Sequence, residues 1–304
     1  MKKVVVSGAS GFIGKALVER LLREGVGVTA IVSSSEKLQE INDVLLKKVV
    51  ADFSTFLQLP DLIEKSDYDC FYHLAWTGYG AATNDYTVQC ENIKAACDAV
   101  NIAAQIGCKR IVFSSSFSEY MIPDGTTVSH RENGVCNVYG ATKESARLLA
   151  QAVAYQKKIS MVSVAFSNTF GPGDYSRRTP NLFISRFMQG LDVDLTPGDA
   201  LYEWTFIDDS VEGLICAAEK GKDNGLYYIG SNNVRPLKDI VAEIRDLISP
   251  KSKLNLGKYK ESFKCDYSSI DTFELYRDTG YQAKCDFKQS ILKTAEWLKK
   301  IDFK

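Results

Sequence analysis

Tyr139 and Lys143 stand four residues apart in the segment Tyr139-Gly140-Ala141-Thr142-Lys143. On an α-helix that spacing sets a phenol and an ammonium on one face, a turn apart. A phenol ordinarily titrates near about 10, and a neighbouring ammonium favours its phenolate. Such a tyrosine can exchange a proton with a carbonyl or hydroxyl of a reacting molecule. The apolar segment ending Phe113-Ser114-Ser115-Ser116 supplies a hydroxyl that could steady the same oxygen. Tyr and Lys at this spacing also arise on ordinary solvated helix faces, so the pair gains meaning only from its surroundings.

Those surroundings begin with Gly8-Ala9-Ser10-Gly11-Phe12-Ile13-Gly14, whose glycines are spaced G-x-x-G-x-x-G. A short apolar run, Val4 to Ser7, precedes it. After it Ile13, Leu17 and Leu21 fall on one helical face, Gly25 marks the stop, and Val26 to Val32 reads as a second strand. In that setting Gly8 allows a tight turn, Gly11 lets backbone approach a pyrophosphate, and Gly14 lets the helix pack close to the sheet. The helix N-terminus then offers free N–H groups and its positive dipole end to phosphate. The alternative is a glycine-rich turn with no ligand. Strand before, helix after and a second strand at the right distance favour the dinucleotide. A nicotinamide held there could exchange hydride while Tyr139 exchanges a proton, and its oxidised ring would favour the phenolate as the ammonium does.

A carboxylate at the end of the second strand would hold the ribose hydroxyls of NAD. Here the chain reads Ile31-Val32-Ser33-Ser34-Ser35-Glu36-Lys37. Ser33, Ser34 and Lys37 suit a 2'-phosphate, which favours NADP over the alternative, NAD. Two other readings stay open: the serines as a polar loop capping a helix, and Glu36 in the role of the acid. Asp52, after the third strand, is placed to accept from the adenine amino group, or else to cap a turn. His73, ending an apolar strand, reads as a packed core histidine.

The elements that would position these groups alternate along the first half. Lys48 to Ala51 and Cys70 to Ala75 read as strands, Asn84 to Ile106 as a long helix, and Arg110 to Ser114 as a strand. Tyr139 to Tyr155 reads as a helix and Ile159 to Phe166 as a strand. The expected fold is α/β, a doubly wound parallel Rossmann sheet with a smaller C-terminal α/β substrate domain. Ligands of such sheets bind at the carboxyl ends of the strands. After Gly171-Pro172-Gly173 the pattern loosens, with helical periodicity returning over Pro236 to Ile248 and Asp286 to Ile301. We expect a dinucleotide-binding domain over 1–168 and a substrate domain over 169–304, with some chain crossing back to the first.

Composition narrows the classes. The 304 residues are 45% hydrophobic and 25% charged, an ordinary globular balance. A net charge of -1 and the absence of like-charge blocks argue against nucleic acid or an anionic membrane as partner. Cys70, Cys90, Cys97, Cys108, Cys136, Cys216, Cys265 and Cys285 are scattered singly with no histidine at ligand spacing, so no metal site is expected and the thiols read as reduced. The apolar run at the N-terminus is too short for a signal peptide and no run spans a membrane, so a cytoplasmic protein is expected.

Taken together the motifs resemble the extended short-chain dehydrogenase/reductases of the NAD-dependent epimerase/dehydratase type, which act on nucleotide-diphosphate sugars. The resemblance covers nearly the whole chain. It rests on Gly8-x-x-Gly11-x-x-Gly14, His73-Leu74-Ala75, Asn92, Ser114-Ser115-Ser116, Tyr139-x-x-x-Lys143, Asn168-Thr169-Phe170-Gly171-Pro172-Gly173 and Phe206-Ile207-Asp208-Asp209. It implies Ser116, Tyr139 and Lys143 as catalytic triad, with Lys143 also on the nicotinamide ribose. The expected cofactor contacts are Gly8, Ser10, Gly11, Phe12, Ile13, Gly14, Ser33, Ser34, Lys37, Asp52, Phe53, Leu74, Ala75, Asn92, Ser114, Ser115 and Phe166, besides Tyr139 and Lys143. Ser116, Phe117, Ser118, Asn168, Asn181 and Leu182 would lie along the sugar nucleotide. A homodimer is expected.

Departures from the family pattern narrow the reaction. Relatives that eliminate water carry an Asp-Glu pair after the catalytic hydroxyl residue, where this chain has Phe117 and Ser118. Relatives that epimerise at a carbon acid carry cysteine where Ser118 stands. What remains is hydride chemistry: a 4-ketoreductase of a nucleotide-linked 6-deoxysugar, or a 4-epimerase. A third reading, a non-catalytic NADP-sensing regulator, sits poorly with an intact Tyr139 and Lys143. Tyr202 replaces an arginine that meets phosphate in relatives. Arg177, Arg178 and Lys264 are candidates to replace it, though each reads first as a solvated charge.

Overall fold

The computed structural model describes residues 1–123 and 137–303. Cys136 therefore lies outside the described residues.

The apolar runs of the first half become strands β1 (Lys3–Ser7), β2 (Gly27–Val32), β3 (Leu46–Val50), β4 (Cys70–His73), β5 (Arg110–Ser116) and β7 (Ser160–Phe166), with a short β6 (Met121–Pro123) between the last two. Helices α1 (Phe12–Arg23), α2 (Leu59–Leu62), α3 (Tyr86–Ile106) and α4 (Val138–Lys157) alternate with them. The strands pair in parallel in the order β3-β2-β1-β4-β5-β7.

The boundaries have local causes. Asp85 caps α3 by accepting from the N–H groups of Thr87 and Val88, and Gly107 ends it at a positive φ. Asn137 caps α4, its Oδ1 accepting from Gly140 N at 2.6 Å. β4 stops at His73, two residues short of the expected end, because the backbone of Leu74 and Ala75 turns across the end of β1. A Cβ on Gly8 would lie 2.6 Å from the Ala75 nitrogen, and Gly8 holds φ +69°. β5 runs two residues further than expected, since Ser114, Ser115 and Ser116 pair with Val164, Ala165 and Phe166 of β7.

The second half holds β8 (Asn168–Phe170), α5 (Thr179–Met188), β9 (Val193–Asp194), β10 (Leu201–Tyr202), β11 (Trp204–Phe206) and α6 (Ile207–Lys220). It continues through β12 (Leu226–Ile229), β13 (Arg235–Pro236), α7 (Leu237–Ile248), β14 (Leu254–Asn255), β15 (Phe263–Cys265), α8 (Glu274–Thr279) and α9 (Phe287–Lys300). It is more regular than its sequence suggests, for α5 and α6 occupy stretches where no helix is expected. β12 joins the main sheet in parallel beyond β7, making seven strands.

Two apolar cores flank the sheet. One collects Phe71, Ile111 and Phe113 of the sheet with Ala99, Ile102, Ala103, Ala146 and Ala150 of α3 and α4. The other runs without a break from Val4, Val6 and Val28 through Leu17 and Leu21 of α1 and Leu214 of α6. It reaches Ile184 of α5, Ile240 and Ile244 of α7 and Ile291 of α9. The C-terminal elements are thereby fixed over one side of the sheet.

Candidate active site

The catalytic residues meet because two periods match. Along β5, Ser114 and Ser116 share a face and lie about 6.6 Å apart; along α4, Tyr139 and Lys143 share a face about 6 Å apart. Strand and helix therefore present a hydroxyl to each partner. Lys143 Nζ donates to the Ser114 carbonyl at 2.7 Å and lies 3.4 Å from its Oγ, and Ser116 is hydrogen-bonded to the Tyr139 phenol. Ser115 points the other way and is buried, its Oγ without a partner in the protein.

Burial dominates the electrostatics. It pushes the Tyr139 phenol well above its ordinary value, with Tyr79 acting the same way and the Ser116 hydrogen bond opposing. It pulls Lys143 down to about 7, against the pull of Glu119. Burial thus favours the protonated phenol, opposing the phenolate that a neighbouring cation favours.

A roof of aromatic rings, not legible in the sequence, covers this pair. Lys143 Nζ lies 3.6 Å from the centre of the Trp76 ring, and Trp76 and Tyr79 each meet Tyr139 edge-on, at 5.9 and 5.5 Å between centroids. Two side chains of α3 hold this loop. Trp76 Nε1 donates to Gln89 Oε1 at 3.0 Å, and Gln89 Nε2 donates to the carbonyls of Gly78 and Ala82. Asn92, expected at the cofactor, accepts from Thr77 N at 2.7 Å and donates to Thr77 O at 3.0 Å. These bonds tie the loop to α3 over the site.

The residues at the end of β1 fit a dinucleotide. Besides the Gly8 contact, a Cβ on Gly14 would lie 2.1 Å from the Gly8 carbonyl, so only glycine lets α1 sit this close. Gly11 caps α1 without a side-chain bond and no acid occupies the first turn, leaving N–H groups for phosphate. Ser10, Phe12 and Ile13 line this turn half-buried; Ser33 and Lys37 are exposed at the end of β2, with Ser34 half-buried between them. Turns, not a helix, follow Ser33 to Ser35. Asp52 is exposed, and its Oδ1 accepts from Ser54 N, Ser54 Oγ and Thr55 N, the turn alternative. Phe53 packs edge-on against Phe56, and Phe166 is buried at the end of β7. His73 is buried with Nδ1 2.9 Å from Ser7 Oγ, and burial drops its pKa to about 3: a core histidine, as expected.

On the substrate side Phe117 is half-buried and Ser118 buried. Asn168 starts β8, its Nδ2 buried and unpartnered; Leu182 is half-buried on α5. Asn181 donates its amide to the carbonyls of Asp174 and Ser176, leaving only Oδ1 unpartnered. Arg178 is not the solvated charge expected. Its Nη2 binds Asp174 Oδ2 at 2.7 Å and Thr169 O at 3.1 Å, and its guanidinium lies 5.9 Å from the Tyr79 ring centre. Arg177 is exposed, and Lys264 sits in β15 opposite Ile122. The cation brought opposite Tyr202 is one that sequence order conceals, Arg235 of β13. It pairs with Glu243 at 2.6 Å.

Residues 4–230 match the model of the NAD dependent epimerase/dehydratase family. The chain belongs to this family. Its members are oxidoreductase-type enzymes, and among its relatives are nucleotide-sugar enzymes. The Arabidopsis thaliana UDP-glucuronate 4-epimerase 6 is 24% identical over 97% of this chain and 71% of its own length. The UDP-N-acetyl-alpha-D-glucosaminuronate decarboxylase of Bacillus cytotoxicus is 24% identical over 99% of both chains. Among solved structures, the dTDP-glucose 4,6-dehydratase DesIV of Streptomyces venezuelae, with NAD and TYD bound, superposes with a TM-score of 0.81. It is 19% identical and covers 98% of this chain and 97% of that one. The fold of this family member is therefore the extended Rossmann architecture its sequence implies.

Among the described residues no group of three or more His, Cys, Asp or Glu side chains gathers as a metal site, and no helix is long and apolar enough to cross a membrane. The described cysteines are free thiols.

Proposed function

We propose that this enzyme uses NADPH to reduce the 4-keto group of a nucleotide-diphosphate-linked 6-deoxysugar. The observation that carries the reading is Tyr139, bonded to Ser116, beside a turn with no carboxylate free to act on substrate. The nicotinamide would supply hydride when bound. Ser116 Oγ would hold the keto oxygen, Tyr139 Oη would hand it a proton, and Lys143 would leave Ser114 to meet the nicotinamide ribose. Phe117 carries no titratable group, the Ser118 hydroxyl is a very weak acid, and Glu119 is turned under the turn against Arg147. No group there can take a carbon-bound proton.

NADP is supported by Ser33, Ser34 and Lys37 and by the absence of an acid in the strand end itself. Arg235 and Arg178 are the cations proposed for the diphosphate. A homodimer is proposed through α4, which exposes Leu148, Leu149 and Tyr155. The second reading, a 4-epimerase with tightly held NAD, is favoured by the UDP-glucuronate 4-epimerases among the relatives.

One experiment separates them. The nucleotide released from purified protein is identified. The protein is then incubated in heavy water with NADPH and the 4-keto-6-deoxysugar nucleotide made by a dTDP-glucose 4,6-dehydratase. A reductase consumes one NADPH per sugar and puts no deuterium on the carbons beside C4. Deuterium there, above a control without enzyme, would show a base that this reading lacks. Retained NAD, with redox-neutral interconversion of UDP-glucuronic acid, would establish the epimerase instead.

A further inference from the structure

Beneath the Ser116–Tyr139 contact lies a buried ion pair that the proton and hydride chemistry leaves unused. Glu119 is 3% exposed, and its Oε2 accepts from Arg147 Nε at 3.0 Å. Its Oε1 accepts from the Ser116 N–H at 3.4 Å, while Ser116 Oγ accepts from the Ser118 N–H at 3.2 Å. The two bonds form a reciprocal cap that fixes the turn over 116–119. Arg147 lies one helical turn beyond Lys143 and two beyond Tyr139, on the same side of α4. The turn meets α4 at a second point: a Cβ on Gly140 would lie 2.4 Å from the Ser118 carbonyl, so glycine alone admits this approach. The segment carrying Ser116 is thus clamped to the helix carrying Tyr139 and Lys143.

We propose that Glu119, held by Arg147, is a positioning residue of the active site. It fixes the turn that presents Ser116 to Tyr139, and it supplies the buried negative charge against which Lys143 is held. The proposal rests on the assignment of Ser116, Tyr139 and Lys143 as the reacting set. Removing either member of a buried pair leaves the other uncompensated, which gives the clamp its leverage.

Among the described residues, the groups facing Lys143 from each packed element single Glu119 out. His73 on β4 is neutral at physiological pH, Ser114 on β5 does not titrate, and Trp76 in the loop carries no charge. On α4, burial favours the neutral phenol of Tyr139, and Glu144 is partly solvated, 3.6 Å from Arg147. Across the cleft Arg178 is neutralised by Asp174. Glu119 is the group that raises Lys143 against burial. Burial in turn lifts Glu119 to about 7, and Arg147 is the main force holding it down. Without Arg147 burial drives the carboxyl further towards its neutral form, which weakens the counter-charge to Lys143.

The test needs no substrate. Full-length protein carrying ¹³C-labelled lysine is titrated from pH 5 to 10, and the Lys143 ε-carbon resonance, assigned by its loss in Lys143→Met, gives the Lys143 midpoint directly. Glu119→Gln lowers that midpoint by about one pH unit. Arg147→Gln lowers it as well, although deleting a nearby cation would ordinarily raise it. Glu119→Asp, which keeps the charge, restores the wild-type midpoint. Should Glu119→Gln not fold, Glu119→Gln with Arg147→Gln leaves no lone buried charge and gives the same downward shift. An unmoved midpoint in any folded charge-removing variant, or a rise in Arg147→Gln, overturns the proposal. So does failure of all these variants to fold, which would assign the pair to stability alone. A fully active Tyr139→Phe would strike the underlying reading instead. An inactive Tyr139→Phe beside an unmoved Lys143 would strike this proposal alone.

Discussion

Lys143→Met is expected to stabilise the protein at neutral pH while abolishing its chemistry. Lys143 is 2% exposed, and burial brings its pKa from 10.5 to about 7. A pKa lowered on folding means the unfolded chain binds more protons between those two values. Stability therefore rises with pH across that window and is lost as pH falls towards 7. At pH 7 the burden is about 4 kcal/mol, and at pH 9 about 2 kcal/mol. Methionine removes it but also removes the donor to the Ser114 carbonyl. Losing that charge-assisted bond costs about 1–3 kcal/mol, leaving a net gain of about 1–3 kcal/mol at pH 7. The contact losses do not vary with pH, so a comparison of two pH values isolates the titration. The lead of the variant should shrink by about 2 kcal/mol between pH 7 and pH 9, roughly 4 °C in melting midpoint for a chain of this size. Glu119 pushes the same way, because losing the ammonium makes its ionisation harder as pH rises. Circular-dichroism melts of both proteins at the two pH values measure the lead. One that stays constant, or grows with pH, would refute the claim that burial of a charge sets the state of Lys143.

Tyr139→Phe should cut turnover by about 10²–10⁴-fold with little change in cofactor affinity, because the ring still packs against Trp76 and Tyr79 and only the proton donor is gone. Titration of NADPH fluorescence beside the rate assay checks both halves, and a variant keeping most of its activity removes Tyr139 from the chemistry. Ser33→Asp should shift preference from NADPH towards NADH, since a carboxylate repels a 2'-phosphate and accepts from ribose hydroxyls. Steady-state rates with each cofactor decide it, and a wild type that already prefers NADH defeats the reading of Ser33, Ser34 and Lys37.

The first half of the fold was legible because its signals are local. Three valines before a glycine motif, a 3.6-residue stripe on α1 and a capped 21-residue α3 each announce themselves within one window. β12 did not, although Leu226-Tyr227-Tyr228-Ile229 is a reasonable strand, because its meaning depends on β7 lying beside it across a long stretch of intervening chain. The site divides the same way. Tyr139, Lys143 and the serine run were readable from spacing. Trp76, Tyr79 and Gln89 were not, for their roles come from a loop folding back over α4 from the end of β4. Arg178 and Asn92 were recognised, yet their partners, Asp174 and Thr77, are set by tertiary packing, and those partners decide that each side chain fixes a loop. How strongly burial opposes the Tyr139 phenolate was not legible either, because a sequence shows neighbours but not depth of burial.

The last strand of the sheet comes from the far side of the substrate half, and this bears on how the protein can be cut. A chain ended near Phe170 would leave β7 as an open edge, with unpaired N–H and C=O groups along Ser163 to Phe166, where Leu226 to Ile229 now bond. It would also strip α6 from the apolar core it shares with α1. Long, flat, apolar edges recruit strands from other molecules. The nucleotide-binding half expressed alone should therefore aggregate, and exchanging substrate halves between relatives should succeed only when β12 and α6 stay with the sheet they complete.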